Sequence, residues 1–466
     1  MREFAAASLG IFAKKKFTIR AGPKVHGRFS ADVIRRSGMA TRQSMSGGGL
    51  TPLRERLRSL AYLTGSLQMS LSHGRPYLAI PGPSVIPDAV LRAMHRAAPN
   101  IYEGELAEMT AGLIPDLKRV ARTRHQAVIY IGNGHAAWEA ALANTVAPGE
   151  CVLVLTTGRF GHGWAEMAEA LGVEVRILDF GKAAAVDMAR LEAALAADRA
   201  RRIKAVLATH VDTSSSVLND LAAMRMVLEA TEHPALLMAD CIASLACDRF
   251  EMDAWGVDVM VAGSQKGLML PPGLGFVFFN ERAAMARAAL RRVSRYWDWT
   301  PRADPALYYQ YFCGTAPTHH LYGLRAALDM IHAEGMEAVW QRHDRLARAI
   351  WAAAEAWGRA GALSLNISDP SQRSRAVTSL SLPSPLGSQL RRWLEEKAGV
   401  TLGIGLGMAE PGSAAADGFF RIGHMGHVNA HMVLGMLATV QAAFEALDIP
   451  HGAGGLDAAA RVISEA

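Results

Sequence analysis

One lysine lies between two apolar runs in residues 259–275, and this stretch constrains the fold of the chain more than any other. Residues 259–262 predict a buried strand, Lys266 ends a short polar interruption, and the turn at 271–273 leads into a second apolar run, 274–279. Burial of a lysine is unfavourable because desolvation opposes its charge. The same desolvation favours the neutral amine, which is a nucleophile for carbonyl groups. The alternative is an exposed lysine in a turn, since most lysines are on the surface.

The composition is that of a globular enzyme-sized chain. At 466 residues, half of them hydrophobic and a fifth charged, the chain is long enough for two or three domains. No run of 18 or more apolar residues is present, so we expect no membrane span. The four cysteines have neither metal-ligand nor disulfide-framework spacing, which predicts a reducing, cytoplasmic setting and no metal site.

The net charge of +6 comes from one end of the chain. Residues 1–68 contain 13 Lys and Arg against 3 Asp and Glu, whereas the rest contains 36 basic and 40 acidic residues. The basic character therefore belongs to the N-terminal segment, and the folded part is not expected to bind nucleic acid.

Residues 1–76 are predicted to be a basic, largely disordered extension. They are rich in Arg, Lys, Ser and Gly and contain one short possible helix near residues 53–62. The segment has some features of a transit peptide, being Arg-rich and poor in acids. An alternative is that translation starts at Met69, which would make the segment an artefact of the assigned start.

From Tyr77 onwards, short apolar runs alternate with helical patterns. The predicted strands are 127–131, 151–155, 173–178, 205–208, 235–238, 259–262 and 274–279. Strands that alternate with helices predict an α/β fold with a large, mainly parallel, doubly wound sheet, which we place in residues 77–335. A smaller C-terminal α/β domain is expected in residues 336–450, and a Gly- and Ala-rich tail, 451–466, is expected to dock loosely.

Polar residues follow several of these strands, where ligands of open α/β sheets bind. The first strand leads into Gly132-Asn133-Gly134-His135, whose backbone amides at a helix start could bind a phosphate. The stretch also matches the G-x-G-x-x-A pattern of dinucleotide sites. However, the next strand ends in Thr156 and not in the acid that such a site requires. A simple tight turn is the plain alternative.

Four further residues could take part in chemistry. Asp240 follows a strand and could pair with a ring nitrogen or cap a helix. Thr213 lies in a hydroxyl-rich turn, and Phe160 lies in a Gly-flanked loop where it could stack on a ring or simply pack. Arg421 interrupts an apolar strand without a neighbouring acid, which suits the bidentate binding of a carboxylate.

The order of these features resembles that of the class V, fold-type I pyridoxal-phosphate aminotransferases of the alanine–glyoxylate and serine–glyoxylate group. The resemblance covers about residues 77–450 and is carried by Pro81-Gly-Pro-Ser84, Asn133-Gly-His135, Asp240, residues 263–275, Leu321-Tyr-Gly-Leu-Arg325 and Phe420-Arg-Ile-Gly-His424. The segments around Lys266 and Arg421 are the most specific of these.

The resemblance implies a role for each site residue. Lys266 would be the catalytic residue, joined to the cofactor and moving the α-proton of the substrate, and Asp240 would hold the pyridine nitrogen protonated. The remaining assignments are Phe160 stacked on the ring, Thr213 beside the 3-oxygen, Asn133, Gly134, His135 and Gln265 at the phosphate, Arg421 on the substrate carboxylate, and Gly82 and Pro83 lining the pocket.

The resemblance also implies a homodimer in which the partner subunit completes the phosphate site with a tyrosine and, three residues later, a threonine. Thr315 fits the threonine position, but Phe312 occupies the tyrosine position, with Tyr311 beside it. That contact is therefore expected to differ from the family pattern.

The implied reaction is transamination of a small amino acid, serine or alanine, with glyoxylate or pyruvate as the 2-oxo acid. Another enzyme of the same fold, such as a pyridoxamine–pyruvate aminotransferase or a lyase, is the alternative. A cysteine desulfurase fits less well, because no cysteine lies in an obvious active-site loop. A degenerate interaction protein is disfavoured by the presence of Lys266, Asp240 and Arg421.

Overall fold

The computed structural model describes residues 71–465. The predictions of disorder, of a short helix and of an alternative start at Met69 lie outside the described residues. Among residues 71–465, no helix has both the length and the apolar character that crossing a membrane requires.

A seven-stranded sheet forms the larger core. Its strands are β2 (Gln126–Gly132), β3 (Cys151–Thr156), β4 (Glu174–Asp179), β5 (Ile203–Thr209), β6 (Leu236–Asp240), β7 (Val259–Gly263) and β8 (Gly273–Phe279), in the order β2-β8-β7-β6-β5-β3-β4. Pairs β3/β4, β3/β5, β5/β6 and β6/β7 are parallel, while β8 is antiparallel to both of its neighbours. Strands β3, β6 and β7 are buried along their whole length because helices cover both faces of the sheet, which explains their continuous apolar runs.

A five-stranded sheet forms the smaller core. Its strands are β1 (Tyr77–Ala79), β9 (Ser364–Leu365), β10 (Val377–Ser381), β11 (Val400–Ile404) and β12 (Phe419–Gly423), in the order β1-β11-β12-β10-β9. Only β1 pairs in parallel within this sheet, with β11, and the other pairs are antiparallel. The strand that opens the body of the chain thus returns to the sheet built from its C-terminal part.

The helices of the described residues connect these strands and cover both sheets. They are Asp88–Met94, Glu105–Val120, Gly134–Ala143, Arg159–Ala170, Met188–Ala197, Leu221–Ala230, Glu281–Ala289, Thr300–Ala303, Thr318–Glu334, Met336–Gly358, Leu386–Ala398, Ala430–Ala446 and Gly455–Ser464.

The predicted α/β class and the mainly parallel large sheet are confirmed. Each strand predicted for that sheet is present, with ends that differ by at most two residues. Sequence patterns missed β1, β9, β11 and the helix Glu105–Val120. Strands β1 and β9 have only three and two residues, and the helix contains Pro115, which is a helix breaker when only the sequence is considered.

The prediction for the C-terminal tail was wrong. Residues 455–464 form a helix that packs on the long helix Met336–Gly358, and its Ala459 is buried in the smaller core. Gly455 lies so close to the indole of Trp357 that a Cβ atom would come within 2.2 Å of Nε1. Small residues in this tail, which suggested loose docking, are therefore what permits close helix packing.

The division of the body into domains at residues 335 and 336 stays a prediction. Both sheets belong to one compact unit, and β1, which was assigned to the larger domain, pairs with the smaller sheet. The predicted smaller α/β region is mostly antiparallel.

The topology places one end of the larger sheet next to the smaller sheet. The carboxyl ends of β2, β3, β5, β6 and β7 carry the segments that contain Gly134, Phe160, Thr213, Asp240 and Lys266. The smaller sheet contributes Arg421 on β12 and the turn after β1.

Candidate active site

Lys266 is buried in the loop between β7 and β8, so of the two readings of the sequence the structure has the buried lysine and not the exposed one. Only 8% of its surface is exposed, and its Nζ donates a hydrogen bond to the carbonyl oxygen of Pro81 at 2.5 Å. Its own carbonyl oxygen accepts from the hydroxyl of Ser84 at 2.7 Å. The lysine is therefore tied at both ends to the turn that follows β1.

Burial changes the protonation of Lys266. Desolvation, followed by the nearby positive charge of Arg421, lowers the pKa of Lys266 to about 8, although Asp240 and Cys247 act in the opposite direction. A lysine with this pKa has a large neutral fraction near pH 8, which is the form that can act as a nucleophile or as a base.

Ser264 holds the loop that presents Lys266. Its hydroxyl donates to the carbonyl of Pro271 at 2.7 Å and accepts from the amide of Leu274 at 3.2 Å. These bonds join the start and the end of the loop. The turn at residues 271–273 thus closes a short loop whose ends are fixed to neighbouring antiparallel strands.

Asp240 is a buried acid at the end of β6 that has no cation in direct contact among the described residues. One carboxylate oxygen accepts from the indole Nε1 of Trp138 at 3.1 Å, and the other accepts from the amide of Ile242 at 2.7 Å. Burial raises the pKa of Asp240 to about 7, against the lowering effect of the Ile242 amide. A cation placed against this carboxylate would lower that pKa.

The helix Gly134–Ala143 starts at the end of β2, and Asn133 caps it. The side-chain oxygen of Asn133 accepts from the amides of His135 at 3.1 Å and Ala136 at 3.3 Å. At Gly134, a Cβ atom would lie 2.3 Å from the side chain of Ile242. The helix start therefore packs closely on the Ile242 side chain, which follows Asp240 by two residues.

Gln265 faces the same end of the sheet with an unsatisfied side chain. Its Oε1 is buried and has no hydrogen-bond partner in the described part of the chain. Because an unpaired buried acceptor is costly, this amide oxygen is in a position to take a partner that the chain itself does not supply.

Phe160 lies in the first turn of the helix Arg159–Ala170, and the prediction of a loop at this point was wrong. The half-buried ring packs against the edge of the Trp138 indole, with 6.4 Å between ring centroids. Gly158, which has an extended backbone, directly precedes the helix. The glycines on both sides of Phe160 are typical of a loop when only the sequence is considered.

Asp212, which sequence reasoning did not assign, fixes that helix start. One of its carboxylate oxygens accepts from the amides of Phe160 and Gly161, at 2.9 and 3.1 Å, and the other accepts from the amide and hydroxyl of Ser214. The only sequence signal for it is that an acid follows the end of β5 by three residues and directly precedes a run of hydroxyls.

Arg421 lies on the central strand β12 and is almost completely buried. Its Nε donates to the carbonyl of Ile404 at 2.7 Å, and its Nη1 donates to the carbonyl of Thr213 at 2.8 Å. Burial lowers the pKa of Arg421 to about 10, although the negative charge of Asp212 opposes that shift. Among residues 71–465, Arg421 forms no ion pair with a carboxylate, so its charge is available to one from outside.

Gly82 packs directly on the side chain of Lys266. A Cβ atom at Gly82 would lie 2.5 Å from the lysine Cε, and the glycine has a positive φ of 97°. Pro83 next to it is exposed. The turn therefore requires a residue without a side chain where the lysine approaches the backbone.

Thr315 is not brought into this site within one chain. It is exposed, and it precedes the helix Thr318–Glu334. Phe312, at the position where the resemblance has a tyrosine, is 1% exposed and packs between the rings of Tyr308 and Tyr311. Phe312 therefore cannot reach a neighbouring subunit, whereas Tyr309 is 47% exposed.

The assembled site combines an amine, an acid and an arginine in a buried environment. Lys266 can supply a neutral amine, Asp240 can accept a hydrogen bond from a cationic ring, and Arg421 can bind a carboxylate. Lys266 is the group that links the other two, because both Arg421 and Asp240 act on its pKa.

Known proteins show the same combination of sequence and fold. Residues 77–431 match the family model described as aminotransferase class-V. The serine–glyoxylate aminotransferase of Arabidopsis thaliana is 34% identical over 377 residues, which cover 79% of this chain and 90% of that protein. The L-aspartate–glyoxylate aminotransferase of Paracoccus denitrificans is 34% identical over 386 residues, or 82% of this chain and 94% of that protein.

A solved structure supports the same fold. The crystal structure of ureidoglycine–glyoxylate aminotransferase from Bacillus subtilis superposes with a TM-score of 0.75 at 26% sequence identity. The match covers 85% of this chain and all of that one.

The lowered pKa of Lys266 predicts a pH-dependent effect on stability in the cofactor-free protein. Because the folded state releases the Lys266 proton near pH 8 and the unfolded state near pH 10.5, the destabilising effect of the buried charge is complete below pH 8 and disappears as the pH rises. Relative to wild type, Lys266→Met should be stabilised most at pH 7. The difference in free energy of unfolding should shrink by about 1.4 kcal/mol per pH unit above pH 8.

Urea unfolding between pH 6.5 and 9.5 measures this difference. Lys397→Met, which removes an exposed lysine, is the control and should give a difference that does not vary with pH. A pH-independent difference for Lys266→Met as well would contradict the lowered pKa.

Proposed function

The chain belongs to the class V aminotransferases, and we propose that it transfers the amino group of serine or alanine to glyoxylate, with pyridoxal phosphate as its cofactor. The observation that carries this proposal is the burial of Lys266, whose amine bonds to the turn after β1 and lies within electrostatic reach of both Asp240 and Arg421. Each of the three is a buried ionisable group, and the chain provides only some of the hydrogen-bond and charge partners that it needs.

The residues of the pocket fit pyridoxal phosphate. Asp240 is a fully buried acid with no cation in direct contact, which suits a protonated pyridine nitrogen. The helix Gly134–Ala143 presents its N-terminus at the same end of the sheet, and Gln265 would donate to a phosphate through its side-chain NH2 group, since its oxygen can only accept. The helix dipole attracts negative charge at this end, and a phosphate that binds the amide of His135 would replace the Asn133 oxygen to which that amide donates.

When bound, pyridoxal phosphate supplies a carbonyl group that combines with amines and a ring that takes up electrons from the α-carbon of an amino acid. Asp240 would hold the ring nitrogen in its protonated form. Phe160 would lie against the ring, and Thr213 would be next to the 3-oxygen. Gly134, His135 and Gln265 would bind the phosphate, with Asn133 fixing the helix start through its side chain.

Lys266 would perform the proton transfer. Its pKa of about 8 leaves enough neutral amine near neutral pH to take a proton from the α-carbon of the substrate. Pro81 and Gly82 hold the amine in place, because the carbonyl of Pro81 accepts a hydrogen bond from it and Gly82 leaves room for its carbon chain.

Arg421 would bind the α-carboxylate of the amino acid and of the 2-oxo acid in turn. Two backbone carbonyls fix the guanidinium, so its remaining donors keep one orientation. Arg421 is also the cation that acts most strongly on Lys266. A pocket with one such cation favours a substrate with one carboxylate, such as serine, alanine or glyoxylate.

The named relatives support glyoxylate as the acceptor. The two curated relatives and the solved structure differ in the amino donor that their names give, but all three names include glyoxylate. This favours glyoxylate over pyruvate and over the lyase alternative.

We also propose that the chain acts as a homodimer in the cytoplasm. Thr315 is exposed, and the exposed side chains of Leu307 and Tyr309 lie on the same segment, where a partner subunit would cover them. All four cysteines are free thiols, which fits a reducing compartment.

The role of Arg421 predicts a selective loss of substrate binding. Arg421→Lys keeps the charge but removes the planar fork, so the KM for both the amino acid and the 2-oxo acid should rise by roughly 10- to 100-fold. The affinity for pyridoxal phosphate should change less than about threefold, because the proposal assigns Arg421 to the substrate carboxylate and not to the cofactor.

Steady-state kinetics with each substrate varied in turn, together with cofactor titration of the apoprotein, measures both effects. Arg373→Lys is the control, since Arg373 is also buried and also donates to two backbone carbonyls. A loss of cofactor binding in Arg421→Lys that matches its rise in KM would give Arg421 a structural role.

A panel of amino donors with glyoxylate tests the proposed reaction. We expect serine or alanine to have a kcat/KM at least about tenfold above that of aspartate, since a second buried carboxylate would lack a partner cation. Glycine formation measured by chromatography is the readout. Preference for aspartate would contradict the proposed donor, and inactivity with every α-amino acid would contradict transamination.

A further inference from the structure

We propose that Trp138 is a positioning residue that holds the carboxylate of Asp240 in the orientation and charge state that the cofactor ring requires; this inference rests on the proposed function. The indole N–H of Trp138 donates to one carboxylate oxygen of Asp240 at 3.1 Å. No other side chain among residues 71–465 donates to this carboxylate.

The position of Trp138 in the helix Gly134–Ala143 explains how it reaches the acid. Trp138 follows Gly134 by four residues, so its side chain lies one turn after the helix start and on the same face. That face packs on the end of the larger sheet, where β6 ends in Asp240. One helix therefore carries both the start that faces the phosphate and the donor that faces the acid.

Trp138 also contacts the other aromatic residues of the site. Its ring lies 4.6 Å from that of His135 and 6.4 Å from that of Phe160, measured between centroids. On its remaining side it stacks on Trp164, at 5.9 Å and with 14° between the ring planes. Since the indole is 1% exposed and packed on several sides, its N–H has a fixed direction.

The fixed N–H direction of Trp138 determines how the carboxylate of Asp240 is oriented. An ionised carboxylate has about four acceptor positions, and Trp138 and the amide of Ile242 occupy one on each oxygen. The carboxylate plane is therefore determined, and the free positions keep one direction. Both donors also stabilise the ionised form, whereas loss of the indole N–H would leave a buried carboxylate with a single donor.

Trp164 offers a matched control within the same aromatic stack. It is fully buried and stacks on Trp138, but its own Nε1 has no hydrogen-bond partner in the described part of the chain. Changes at Trp164 alter the packing of the stack and leave the bond between Trp138 and Asp240 in place.

The sharpest test replaces each tryptophan with β-(3-benzothienyl)alanine, which keeps the shape of indole but has sulfur in place of N–H. At position 138, the dissociation constant of pyridoxal phosphate, measured by titration of the apoprotein, should rise by about tenfold or more, since a carboxylate with a single donor is less fixed and its ionised form is less favoured before the ring binds. At position 164, it should stay within about twofold of wild type, because no hydrogen bond is removed.

Kinetics separate positioning from packing. For the analogue at position 138, kcat should fall by about tenfold while the KM of the amino donor changes less than about threefold, because Arg421 and not Asp240 faces the donor carboxylate. Trp138→Phe and Trp164→Phe, compared by thermal unfolding, report how much stability each ring contributes.

The outcomes are distinguishable. If wild-type protein takes up no pyridoxal phosphate, the proposed function fails before this inference is tested. If wild type binds the cofactor and the analogues at positions 138 and 164 give equal dissociation constants and equal kcat, Trp138 only packs and the inference is overturned. If Trp138→Phe does not fold, the isosteric analogue still decides the question.

Discussion

The burial of the Lys266 amine between two sheets is the constraint on which the rest of the site depends. The amine donates to the carbonyl of Pro81, which follows the first strand of the smaller sheet, while the lysine itself extends from a loop of the larger sheet. Holding a lysine in this place costs free energy, and the lowered pKa of its amine is the measure of that cost. Because the same desolvation lowers the pKa of Lys266 to about 8, a large fraction of the amine is neutral near that pH.

Asp240 and Arg421 lose their hydration on burial, and hydrogen bonds within the chain replace only part of it. Asp240 accepts from an indole and an amide, and Arg421 donates to two backbone carbonyls, but neither pairs directly with an opposite charge of the chain. Polar groups that are fixed before the ligand arrives need little reorganisation during the reaction. A cationic ring against Asp240 and a carboxylate against Arg421 would complete both sets of partners.

Sequence patterns predicted the parts of this arrangement that depend on local periodicity and on chain order. The apolar runs around Lys266 and Asp240 predicted strands β6, β7 and β8, and the ends of those strands placed both residues in the site. Phe160 was placed in a loop because its flanking glycines resemble a turn, whereas Asp212 binds two amides there and starts a helix. The contribution of Trp138 depends on a hydrogen bond across 102 residues, which no local pattern contains. The packing of Gly455 on Trp357 was missed for the same reason, since contacts between distant helices depend on tertiary structure.

Peptide mapping after borohydride reduction tests the central claim most directly, because reduction makes the attachment of a carbonyl compound to a lysine amine permanent. The purified protein would be incubated with pyridoxal phosphate, reduced, digested and analysed by mass spectrometry. We expect the mass of the reduced cofactor on the peptide that contains Lys266, and no such label in Lys266→Met. An unlabelled Lys266 peptide, or equal labelling of exposed lysines such as Lys397, would contradict the claim.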